Sequence, residues 1–131
     1  MIQLINNDFK TTPKIRKDKS PTKVLKEYAD ALTKQTNNLM VGEVIETNGN
    51  EIVNPYYTLY IRVESLGNYW HRLFEMTLDN ILEEYPVSVK AYGESIVSPC
   101  EKSLKETLEY FFLKYETQEV FHRIKELTKH V

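Results

Sequence analysis

Three chemically capable side chains, Trp70, His71 and Arg72, stand side by side just after a Gly67-Asn68 pair, with Glu64 before them and Glu75 behind. An imidazole next to carboxylates is the raw material of acid–base chemistry, and a guanidinium grips carboxylate or phosphate oxygens through its fork of donors. Read as a ligand site, the group is Glu64, Trp70, His71 and Arg72, with a pocket expected near Arg72. Beyond it, chemistry is sparse. The histidines His71, His122 and His130 have no metal-ligand spacing, and Cys100, the single cysteine, has no local partner for zinc. No Gly-rich phosphate loop and no nucleophile-elbow motif occurs, so neither cofactor, metal nor catalytic residue is assigned. Cys100 falls in the first turn of a helix, where a thiol could be reactive, but a small buried apolar residue accounts for it as well.

Positioning these residues requires a hairpin. A two-residue type II′ turn at Gly67-Asn68 pairs residues whose numbers sum to 135. Ile61 then faces Phe74, Leu59 faces Met76 and Tyr57 faces Leu78 on one side. Glu64 faces His71, Tyr60 faces Glu75 and Thr58 faces Thr77 on the other. A slip by one residue would set Arg62 against Arg72 and spoil the apolar face. In this register His71 is solvated, while Arg72 points toward the helices opposite Val63 and must snorkel, pair or grip a ligand.

The remaining elements read as one α+β domain in two layers. Ser20-Pro21 opens a helix carrying Val24, Leu25, Tyr28, Ala31 and Leu32 on one face. Asn48-Gly49 signals a hairpin between residues 39–47 and 51–65, with Pro55 expected to force a bulge or break. Residues 85–92 alternate as a fourth strand, and Ile81 and Leu82 should tuck under a helix. Ser98-Pro99-Cys100-Glu101 reads as a capping box. It opens one or two C-terminal helices, 99–115 and 118–130, whose apolar residues change phase near Tyr115. The architecture expected is therefore an N-terminal helix, a four-stranded antiparallel meander and one or two C-terminal helices, over residues 20–131.

Charge and composition bound the function. Residues 1–23 hold six cations and two anions, a net +4 that leaves −6 for the rest of a chain carrying −2 overall. Residues 1–19 thus read as a flexible basic arm on an acidic body, able to touch phosphates but poorly matched to nucleic acid as a whole. Nothing resembles a signal peptide or a membrane span, and a lone cysteine fits a reducing compartment, so a cytoplasmic location is expected. Tyrosine, nine residues of 131, is the one compositional excess. Tyr56, Tyr60 and Tyr92 are placed on the sheet face away from the helices, and Phe112 and Phe121 belong to an apolar surplus on the C-terminal helices. Aromatic rings with polar tips suit protein interfaces. The function expected is a non-catalytic protein-binding or assembly module, its expected partners a second copy as a homodimer or another protein; the alternatives are a small-molecule pocket or small enzyme near Arg72 and a nucleic-acid accessory using the arm.

Overall fold

A computed structural model describes residues 18–48, 54–80 and 83–130. Helix α1 (Pro21–Gln35) begins where the Ser20 hydroxyl accepts the Lys23 amide at 3.3 Å, and Pro21 occupies a position that needs no donor. Thr36, followed by Asn37 and Asn38 in left-handed conformation, ends it. The chain then enters β1 (Val41–Thr47), β2 (Tyr56–Val63), β3 (Tyr69–Leu78), β4 (Val87–Ala91) and β5 (Glu94–Ser98). These five strands form one antiparallel sheet in sequence order. Helices α2 (Glu101–Leu113) and α3 (Tyr115–Thr128) complete the described chain.

The α+β class holds, with one strand more than the four expected. Tyr92 and Gly93 both take positive φ, the geometry of a two-residue type I′ turn, and fold β5 back on β4. Ser98 accordingly ends β5 opposite Val87, and its buried hydroxyl bonds Thr107 at 2.9 Å. It is not a helix cap; α2 starts after Cys100, without a side-chain cap. The C-terminal helices are two. Lys114 is extended at ψ 148°; the Phe111 carbonyl accepts from the Lys114 amide and from Thr117 Oγ1, and the Phe112 carbonyl accepts from Gln118 Nε2.

Helix α1 lies on β1 at very short range. A Cβ on Gly42 would come within 2.5 Å of the Ala29 carbonyl oxygen, so only glycine permits the crossing. The core between sheet and helices holds Leu59, Ile61, Val63, Phe74, Met76, Val87 and Val89 from the strands, with Val24, Leu25, Leu104, Leu108, Phe111 and Ile124 from the helices. Thr47 pairs with Tyr56 at the end of the β1–β2 ladder, and Gly49 of the expected Asn48-Gly49 turn lies outside the described residues. Pro55 falls just outside β2, which spares the ladder. Ile81 and Leu82 lie outside the described residues, as do residues 1–17 of the expected arm. Asp18 and Lys19 are tied to the start of α2: the Lys19 amide donates to Glu101 at 2.7 Å, and the Lys19 carbonyl accepts from Tyr85 at 2.9 Å. Among the described residues no helix is long and apolar enough to cross a membrane.

Candidate functional site

The connection from β2 to β3 is longer than a two-residue turn, and this changes everything the hairpin positions. Glu64–Leu66 form a 3-10 turn, after which Gly67 and Asn68 reverse the chain with φ 72° and 57°. Leu66 is thereby folded back to pack on the core edge rather than extended along a strand. Near Tyr56 the register pairs residues summing to 133, two short of the expected value, so Leu59 meets Phe74 and Thr58 meets Glu75. An even shift keeps the faces. Between Leu59 and Tyr60 the register then slips by one at a β-bulge that leaves Leu73 without a partner. Beyond it Tyr60 pairs with Arg72, Ile61 with His71, Arg62 with Trp70 and Val63 with Tyr69.

The bulge exchanges the two faces for the residues of interest. Tyr69 and His71 stand on the helix side with Ile61 and Val63, and Trp70 and Arg72 stand on the opposite side with Tyr60 and Arg62. Both orientations derived from the tight-turn register are thus corrected. His71 does not face Glu64, which instead accepts from Arg62 at 2.7 Å. Arg72 is exposed and paired with Glu75.

On the open face, Trp70 meets Tyr60 edge-on with ring centroids 5.8 Å apart. Arg62 beside them is held by Glu43 and Glu64, whose carboxylates raise its already high pKa further. Tyr56 shares this face, opposite Thr47 and Thr77. Thr58 sits buried between Ile45 and Glu75 of the neighbouring strands. Tyr92 does not belong to it: the β4–β5 turn directs its hydroxyl to Thr117 of α3 at 2.6 Å, on the helix side. Phe112 and Phe121 are half-buried in the helix layer. Phe112 stacks on Tyr28 and meets Phe74 edge-on, so much of the apolar surplus is internal. The Tyr28 hydroxyl, desolvated and bonded to Glu109 at 3.0 Å, has its pKa raised to about 12.

His71 borders a cleft of about 440 Å³ between the 3-10 turn, the start of β3 and α3. Leu66, Val120, Ile124 and Leu127 make its walls, and Tyr69, His71 and Arg123 supply its polar atoms. The Tyr69 hydroxyl lies 3.3 Å from His71 Nδ1. Desolvation lowers the His71 pKa below its ordinary value, so the ring is neutral at pH 7. Arg72 lines a different, open notch between β3 and the β4–β5 turn, with Lys90, Glu94 and Ser95, and His71 borders this notch as well as the cleft. Of the four residues grouped by sequence, Trp70 and Arg72 share the open face near Arg62 and its partner Glu64, while His71 meets Arg72 only at the notch. Sequence reading missed Tyr69, Leu66 and Arg123 as companions of His71. Arg123 lies on a helix far along the chain, and the fold alone brings it here. No group of three or more His, Cys, Asp or Glu side chains among the described residues could hold a metal ion. No protein-family model matches the chain, and no curated protein and no solved structure is significantly similar to it.

Proposed function

We propose that the protein is a non-catalytic assembly module whose open sheet face binds a second copy of the chain. The observation that carries this reading is the pairing of Trp70 with Tyr60 on a sheet face that no described helix covers. Trp70 remains 45% exposed there, and Ile45 and Val97 on the same face are 42% and 59% exposed. Rings of this kind lose little entropy when fixed at an interface. The charges around them favour a copy over a strongly charged partner. Arg62, Arg72 and Lys90 are matched by Glu43, Glu64 and Glu75, so the face is near neutral and mixed in sign. A two-fold operation can place each cation against an anion of the other copy.

Light scattering on the full chain tests the reading. A mass near twice 15.5 kDa at micromolar concentration is expected. Trp70→Ser should return it to 15.5 kDa, while Leu113→Ser, at the exposed junction of α2 and α3, should not. A concentration-independent monomer, or dissociation by Leu113→Ser alone, would overturn it.

A further inference from the structure

We propose that the cleft between the 3-10 turn, β3 and α3 is a binding site for a small apolar molecule carrying a carboxylate. This site is separate from the open sheet face, because the bulge at Leu73 sends His71 and Tyr69 to the helix side.

Its size, about 440 Å³, lies in the range of pockets that enclose small ligands. The walls of Leu66, Val120, Ile124 and Leu127 ask for an apolar body. The polar lining asks for an anion, since no carboxylate borders the cleft and Arg123 does. Arg62, Arg72, Lys105 and Lys114 each meet a carboxylate elsewhere in the fold, whereas Arg123 meets none among the described residues. Its planar fork matches two carboxylate oxygens. His71 adds a neutral donor. With Nδ1 taken by the Tyr69 hydroxyl, Nε2 has no partner among the described residues and carries the ring proton when that hydroxyl donates. One formal charge against one arginine, beside apolar walls, suits a monocarboxylate better than a doubly charged phosphate, which would leave one charge unmatched.

Octanoate, with 1-octanol as its uncharged control, is the probe. Titrated into the full isotope-labelled chain at pH 7.5, octanoate should produce saturable amide shifts at Leu66, Tyr69, His71, Val120 and Leu127. Octanol should bind more weakly. Arg123 is exposed, so Arg123→Gln should fold normally and weaken octanoate about tenfold, with octanol unaffected. Leu127→Glu, at another exposed position, should abolish octanoate binding by placing a like charge at the rim. The proposal is overturned if octanoate gives no saturable shifts at millimolar concentration, if the shifts map outside the cleft, or if Arg123→Gln binds as the parent does. Since the cleft and the sheet face lie on opposite sides of β3, Trp70→Ser should leave octanoate binding unchanged, and failure of one proposal leaves the other standing.

Discussion

The two halves of β3 have the same kind of sequence and opposite behaviour. From Glu75 to Leu78 the strand lies between β2 and β4, and its alternation sends Met76 inward and Glu75 and Thr77 outward. From Tyr69 to Arg72 it pairs with β2 alone, and the alternation is inverted. Leu73 separates the halves. It and Phe74 are adjacent apolar side chains, both buried. An unbulged strand would set Leu73 opposite Tyr60 on the open face and turn the Arg72 guanidinium toward the helices, where its charge would be desolvated, so the bulge is favoured. A single unpaired residue thus decides whether an imidazole or a guanidinium faces the helices.

Removing that residue is the strongest way to break the contrast. Deletion of Leu73 removes the bulge and a buried leucine while leaving His71 opposite Ile61 and Tyr69 opposite Val63, so urea denaturation should show a loss of about 2–5 kcal/mol from the emptied site. A loss within about 0.5 kcal/mol would mean that Leu73 contributes nothing to the core and the bulge is not held by its burial. The next test sets neighbours against each other. His71→Ala should cost about 1–2 kcal/mol, because a half-buried ring against Ile61 and the α3 side is removed. Arg72→Ala should cost under about 0.5 kcal/mol, because its ion pair with Glu75 is exposed on the arginine side. The reverse order would restore the orientations of the tight-turn register.

The smallest effect is in pH. Burial holds the folded-state pKa of His71 below its unfolded value of 6.5, so above that pH both states are neutral and nothing is lost. As pH falls below 6.5 the unfolded chain takes the proton more readily, and stability declines until the folded pKa is passed. Carboxylates titrate lower in the same range. The melting-temperature difference between the parent and His71→Gln, followed from pH 7.5 to 5, isolates the histidine: the parent should lose more. Parallel curves would place His71 in water.

Local chemistry made several elements legible before any coordinates. Ser20-Pro21 marks the start of α1, where the hydroxyl caps the first turn and the donor-free ring occupies a position that needs no donor. The change of phase near Tyr115 located the junction at Lys114 but left open whether the helix breaks there or only changes partner, and it breaks. Where two local signals competed, tertiary packing chose. Ser98-Pro99 resembles a cap, but pairing with Val87 and a buried bond to Thr107 hold Ser98 in a strand, and β5 hid behind the motif. Gly67-Asn68 resembles a tight turn, but Leu66 gains more by burial against the core than by extending the hairpin. Of the site, the residue types were visible and their grouping was not. His71 was read with Glu64 because they are near in sequence; its partners in the cleft include Arg123, which no local pattern could connect to it.

Every strand of the sheet pairs with its neighbour in the chain, and this has a kinetic meaning. Successive hairpins close short loops, so the entropy lost before each contact forms is small and the sheet can zip from any one of its turns. Only the helix layer demands distant encounters. Tyr28 of α1 reaches Glu109 of α2, and Lys19 reaches Glu101, each across some eighty residues of chain. Closing these clasps before the meander exists would cost the entropy of a loop of some eighty residues, so the seam between α1 and α2 is favoured to form after the hairpins.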